Sequence, residues 1–234
     1  MKLIDDVFFD LDRTLWDFET NSKTAIKTIY NELNLSDSIE SFEDFHEVYR
    51  KINAKYWDLY SKGEMSREKL RTTRFIDTLK IFKIYDEKLG DTFGELYIQR
   101  SPYQTNLFPG TKETLQTLKN DNYKLHIITN GFKEVQFIKL KNSGIIEYFD
   151  DILCSEDVGK NKPDPSIFNA ALKRTNAAKS KSIMIGDDFK ADVLGAESCG
   201  IRGVLFDPNN QYHDKKNVER IVTLDKIPEI LVGI

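Results

Sequence analysis

Two hydrophobic patterns alternate along this chain. Short apolar runs recur at Val7 to Phe9, Leu125 to Ile128, Ile152 to Leu153, Ile183 to Ile185, Val204 to Phe206 and Ile221 to Leu224, and each predicts a buried strand. Between most of them the spacing turns helical. Leu115 and Leu118 suit a helix opened by Pro109 and Gly110, while Phe132 to Asn142 and Ile167 to Arg174 each predict another. Strands separated by helices pair in parallel, because a parallel crossover needs about a dozen or more residues. The expected fold class is α/β, a Rossmann-like doubly wound parallel sheet.

One connection breaks the rhythm. The stretch from Phe9 to the next strand candidate at Tyr123 is far longer than an ordinary crossover. Inside it, Ala25, Ile26, Ile29, Tyr30 and Leu33 recur at helical spacing, as do Phe42, Phe45, Val48, Tyr49 and Ile52. Ser66 is a good N-cap for a further helix, and Gly63 marks a turn between two of these helices. Residues 17–105 are therefore predicted to form an inserted helical cap, with 1–16 and 106–234 as the core.

Composition narrows the picture without changing it. With 234 residues, 40% of them hydrophobic, the chain can bury a sizeable core. A balance of 34 basic against 38 acidic residues, net -4, argues against binding nucleic-acid polymers or anionic membranes. No apolar stretch approaches the ~20 residues that span a bilayer. The N-terminal MKLIDDVFF carries two acids where a signal peptide has its apolar segment. A cytoplasmic protein, monomer or homodimer, is expected. Cys154 and Cys199 form no CxxC, and His46, His126 and His213 show no ligand spacing, so a zinc site is not expected.

Ligands of open parallel sheets bind beyond the carboxyl ends of the strands. Here the residues that follow the apolar runs carry chemistry: Asp10, Leu11, Asp12, Arg13 and Thr14; Thr129, Asn130 and Gly131; Lys160, Asn161, Lys162 and Pro163; Gly186, Asp187 and Asp188. Clustered carboxylates repel, and a hard, oxygen-seeking cation such as Mg²⁺ is the usual remedy. Thr129 with the amides at the start of a helix would cradle an anion, and Lys162 adds a point positive charge. The set suits phosphoryl transfer.

These motifs, DxDxT at Asp10 to Thr14, Thr129 with Asn130 and Gly131, Lys162 before Pro163, and GDDxxxD from Gly186 to Asp192, resemble those of the haloacid-dehalogenase-like hydrolase superfamily. Their order and spacing match from end to end, and the insertion lies where that family places its helical C1 cap. The resemblance implies Asp10 as nucleophile, forming an aspartyl-phosphate, and Asp12 as general acid and base. It implies Thr129 and Lys162 as stabilisers of the phosphoryl oxygens, with Asn130 and Gly131 beside them on the substrate. Mg²⁺ would be held by the Asp10 and Asp187 carboxylates and the Asp12 main-chain carbonyl. Asp188 and Asp192 would orient Lys162 and the water on the metal, with a second metal ligand as their other reading.

Asp12 favours phosphate monoesters over carbon–halogen bonds, since the dehalogenase branch lacks the second aspartate. The Arg-containing first motif, the length and the cap make the chain similar to the bacterial branch of 5'-nucleotidases that prefers pyrimidine monophosphates. A phosphoglycolate or sugar-phosphate phosphatase is the rival reading, and a non-catalytic module binding a phospho-ligand is a third. Within the cap, Arg67, Arg71 and Arg74 read as an exposed charged face, and Tyr56, Trp57 and Tyr60 as an aromatic cluster before Gly63. Trp16 and Phe18 are expected to line the pocket mouth. Arg13 stands where most relatives carry a small or polar residue.

Overall fold

The computed structural model describes residues 3–214 and 218–232. The outermost residues of the expected core, 1–2 and 233–234, and residues 215–217 lie outside that description. In chain order the elements are β1 (Asp6–Phe9), α1 (Phe18–Glu32), α2 (Phe42–Ser61), α3 (Arg67–Ile81), α4 (Glu87–Arg100), α5 (Thr111–Asn120), β2 (Lys124–Thr129) and α6 (Lys133–Asn142). They continue as β3 (Asp151–Cys154), α7 (Pro165–Thr175), β4 (Ser182–Gly186), a π-helical turn (Phe189–Leu194), α8 (Gly195–Ser198), β5 (Arg202–Phe206), β6 (Arg220–Ile221) and α9 (Ile227–Val232).

The strands form one sheet in the order β3-β2-β1-β4-β5-β6, parallel at every pairing. Val7 pairs with Leu125 on one side and Ile183 on the other, so β1 is central and hydrophobic on both faces. Because side chains alternate, Val7 and Phe9 pack with Ile127 and Ile185 under Leu115, Leu140 and Ile227 of α5, α6 and α9. Phe8, Ile128 and Met184 point the other way, against Ile167 and Phe168 of α7 and Ala196 of α8. Helices on both faces make the sheet doubly wound, as expected. The last strand is shorter than its apolar pattern suggests: β6 ends at Ile221, Val222 is exposed, and Leu224 is buried from a 3₁₀ turn instead. A turn there carries Leu224 and Ile227 onto the α5 face of the core.

The chain divides into two compact units, Met1–Phe18 with Thr105–Ile234, and Glu19–Gln104. The second is helical. Ser41, Ser66 and Asp86 cap α2, α3 and α4 by accepting from Asp44 N, Lys69 N and Leu89 N. Its core is aromatic, with Phe75 stacked on Phe93 at 4.7 Å and on Tyr49 at 5.0 Å. Helix α4 escapes the sequence pattern because Gly90 and Gly94 lower its intrinsic helicity. Both let α3 approach closely: a Cβ at Gly90 would fall 2.9 Å from Ile76 Cα, and one at Gly94 2.8 Å from the Arg71 carbonyl. Arg74 is not part of an exposed charged face. It is buried, its guanidinium lies about 5 Å from the Phe75 and Tyr97 rings, and Nη1 donates to Asn53 Oδ1 at 2.7 Å.

Candidate active site

In this strand order the connections turn one way from β1 toward β3 and the other from β4 toward β6. The crevice of an open α/β sheet therefore lies between the carboxyl ends of β1 and β4. Asp10 follows β1 directly and Asp187 follows β4 directly. Asp10 N donates to Ile185 O at 2.9 Å, prolonging the ladder until the carboxylate emerges at the switch point. Thr129 closes β2 on the other side of β1.

Lys162 comes from the loop between β3 and α7. Its ammonium lies 2.6 Å from Asp10 Oδ1 and 2.7 Å from Asp192 Oδ1, and it donates to the Ile128 carbonyl at 2.7 Å. The loop is held by Asn130, whose Oδ1 accepts from Lys162 N at 2.7 Å while Nδ2 donates to Lys162 O at 3.1 Å. The Asn130 side chain, expected on the substrate, is thus engaged in placing Lys162. Asp192 reaches inward from the π-helical turn, where its Oδ2 accepts from Asp188 N at 3.1 Å. Gly186 makes room for it, since a Cβ there would fall 2.2 Å from Asp192 Oδ2. Asp188 is exposed and caps the same turn, accepting from Lys190 N and Ala191 N at 2.8 Å each, rather than orienting Lys162.

Burial pushes Asp10 up to about 7, with Asp192 and Asp12 adding to the rise and Lys162 opposing it. Burial, then the neighbouring charges of Asp10 and Asp192, holds Asp187 well above the ordinary carboxylate range. For Lys162 burial alone would lower the value, but Asp10 and Asp192 outweigh it and raise it. Carboxylate oxygens of Asp10, Asp187 and Asp192 lie within 4.8 Å of one another. Three crowded hard-oxygen donors, with Asp192 disfavouring the ionised form of Asp10 and both disfavouring that of Asp187, fit a small divalent cation such as Mg²⁺. With Asp192 committed to Lys162, the open ligands are Asp10 and Asp187.

Asp12 is anchored by residues that the motif reading missed. Its Oδ1 pairs with Lys139 Nζ at 2.6 Å, and its Oδ2 accepts from Gln136 Nε2 at 3.0 Å. The same Gln136 nitrogen donates to Thr129 Oγ at 2.6 Å, and Gly131 N donates to that oxygen at 3.1 Å. A hydroxyl accepts two bonds and donates one, so Thr129 keeps its proton for a ligand. Gly131 leaves space for Gln136, because a Cβ there would fall 2.4 Å from Gln136 Cδ. Trp16 is not at a pocket mouth: it is fully buried, and Lys139 Nζ lies 4.3 Å from its ring centroid. Phe18 stacks under the Arg13 guanidinium at 4.2 Å.

The site is that of an α/β protein with an aspartate and a lysine paired in the interior at the switch point of its sheet and a threonine hydroxyl at the end of the neighbouring strand. The chain belongs to the haloacid dehalogenase-like hydrolases, which match it over residues 7–206. It is 31% identical to the pyrimidine 5'-nucleotidase YjjG of Escherichia coli, covering 83% of this chain and 82% of that protein. It is 29% identical to the ribulose-1,5-bisphosphate 5-phosphatase of Halopiger xanaduensis, over 93% of this chain and 90% of the relative. The crystal structure of the HAD-hydrolase YfnB from Bacillus subtilis bound to magnesium superposes with a TM-score of 0.88 over the whole of both chains, at 26% identity. Among the described residues no helix is long and apolar enough to cross a membrane.

Proposed function

We propose that this chain is a Mg²⁺-dependent phosphatase of small phosphate monoesters, acting through an aspartyl-phosphate on Asp10, with nucleoside 5'-monophosphates as substrates. The observation that carries the reading is the buried pairing of the Asp10 carboxylate with the Lys162 ammonium at the β1–β4 switch point, with the Thr129 hydroxyl at the end of the neighbouring β2 joined to Asp12 through Gln136.

Asp10 attacks phosphorus as the ester P–O bond breaks on the opposite side. The departing oxygen takes a proton from Asp12. Water then attacks the phosphoryl group, Asp12 takes its proton, and the bond from phosphorus to Asp10 breaks to release phosphate. Lys162 and Thr129 hold the phosphoryl oxygens, each worth about 3 kcal/mol by comparison with other oxyanion sites. The Asp10 and Asp187 carboxylates, with the Asp12 main-chain carbonyl, would hold Mg²⁺, which supplies charge neutralisation between nucleophile and phosphate.

An alkoxide leaving group needs the proton that Asp12 provides, whereas a departing halide does not, and this favours phosphate esters over haloacids. Both a nucleotidase and a sugar-phosphate phosphatase stand among the relatives. Turnover of nucleoside monophosphates, sugar phosphates and phosphoglycolate by the purified protein in Mg²⁺ separates the two. Good turnover of sugar phosphates with none of nucleotides moves the assignment to the rival, and no Mg²⁺-dependent turnover of any ester overturns both.

A further inference from the structure

We infer that Lys139 and Gln136 of α6 are positioning residues for this site, a clamp that sets Asp12 and Thr129 in register with each other. The inference rests on the proposed role of Asp12 and goes beyond it. Residues three apart on a helix share a face, so one turn of α6 presents an ammonium and an amide side by side. Between them they occupy both oxygens of the Asp12 carboxylate, at 2.6 and 3.0 Å.

Lys139 is an unusual place for a charge. Its side chain is 5% exposed and faces the Trp16 ring at 4.3 Å and the Phe18 ring at 5.9 Å. A buried ammonium is costly unless paired. Among the described residues, the carboxylate it meets is that of Asp12. Trp16 completes the seat: it is buried in the core, and the local bridge from Asp12 to Trp16 ties the Asp12 main chain to that of Trp16. The ammonium is therefore fixed between an aromatic face and a carboxylate, and cannot follow Asp12 far.

Gln136 extends the clamp to the second functional group. One amide nitrogen serves both Asp12 Oδ2 and Thr129 Oγ, so the residue proposed to move the proton and the one proposed to hold a phosphoryl oxygen share a single donor. Displacing Gln136 would release both together; displacing Lys139 would release Asp12 alone. This difference is what makes the inference testable.

The measurement is the dependence of kcat/KM on the leaving group, in Mg²⁺, for an alkyl phosphate and for p-nitrophenyl phosphate; this ratio reports ester cleavage, whereas kcat also contains hydrolysis of the aspartyl-phosphate, which is common to both esters. Nitrophenolate departs without a proton, an alkoxide does not, so loss of a well-placed acid acts on the alkyl ester selectively. Asp12→Asn sets the reference split. Lys139→Met is expected to lower alkyl-ester kcat/KM about 10- to 100-fold, with a much smaller effect on that of the aryl ester. Lys139→Arg, which keeps the cation, is expected to restore most of the alkyl rate. Gln136→Leu is expected to slow both esters, because Thr129 is also released. If Lys139→Met does not fold, Lys139→Gln serves in its place. Equal losses on the two esters in the Lys139 variants, against a clear split in Asp12→Asn, overturn the inference alone. An Asp12→Asn variant with no split overturns the role of Asp12 and the inference with it.

Discussion

The Lys162 ammonium sits 2.6 Å from the Asp10 carboxylate, with both side chains almost wholly removed from water. A buried pair of this kind is held in balance by its neighbours: Asp192 approaches the same ammonium from the other side at 2.7 Å. Removing the cation leaves two buried carboxylates facing Asp187 without the ammonium that they share. Lys162→Met is therefore expected to reduce kcat by about 10²- to 10³-fold, the cost of one oxyanion donor. It should also destabilise the metal-free protein by ~3 kcal/mol or more at pH 8, the usual result of breaking a buried pair. Steady-state kinetics and thermal melting in chelator measure the two effects, and an unchanged melting temperature would contradict the second.

Asp10 carries a pH signature. Burial raises it from 3.8 to about 7, so the folded chain keeps a proton there that the unfolded chain has lost. Stability from this group is complete below the unfolded value and is lost as pH rises through about 7. In chelator, the wild-type melting temperature is expected to fall between pH 5 and pH 8. Asp10→Asn removes the titrating group and its repulsion of Asp187, and should flatten that fall. Parallel wild-type and variant curves across this range would refute the assignment.

A divalent cation should act on the same balance from the opposite side. Protons and Mg²⁺ compete for the Asp10 and Asp187 oxygens, so stabilisation by Mg²⁺ is expected to be larger at pH 8 than at pH 5. At a free concentration about 100 times the dissociation constant the gain would be about 2.7 kcal/mol, and Asp187→Asn should abolish most of it. Melting temperature as a function of Mg²⁺ at the two pH values is the measurement.

In the helical unit the comparable test concerns Arg74. Its Nη1 donates to Asn53 Oδ1 at 2.7 Å, and its Nε is buried with no acceptor among the described residues. Asn53→Ala would strip the acceptor from a buried guanidinium, with an expected cost of about 2 kcal/mol. Denaturant melts should show a lower midpoint with an unchanged slope.

What the sequence reveals of this molecule depends on how local each feature is. The strands and the chemistry at their ends are legible because an apolar run and the Asp or Thr that follows it are adjacent in the chain. Asp10, Thr129 and Asp187 all stand immediately at or beyond such runs. Lys139 and Gln136 carry no such mark: a lysine on an amphipathic helix normally faces water. What buries this one is Trp16, a contact between residues far apart in sequence. Asn130 is recognisable as part of a motif, yet its attachment to the Lys162 main chain depends on two loops meeting in space. Helix α4 is hidden for a local reason, since Gly90 and Gly94 weaken the pattern at the positions where close packing against α3 requires them.

Arg13 gives the last test. Its φ of 66° is in the left-handed region, where a side chain costs about 1 kcal/mol, and glycine would sit there without strain. Against that stands the stacking of its guanidinium on Phe18 at 4.2 Å, worth a comparable amount, so Arg13→Gly should change stability little. Its electrostatic effect is different in kind. Arg13 pulls the Asp187 carboxyl downward, which means its positive charge is felt at one of the open cation ligands. A positive charge there opposes a second one. Arg13→Gly is therefore expected to bind Mg²⁺ several-fold more tightly at low ionic strength, and the difference should shrink as salt rises, because Arg13 is exposed and screened. Mg²⁺ titrations by calorimetry at two ionic strengths provide the measurement. An affinity that falls on removing the arginine would instead place Arg13 among the groups that help assemble the cation site.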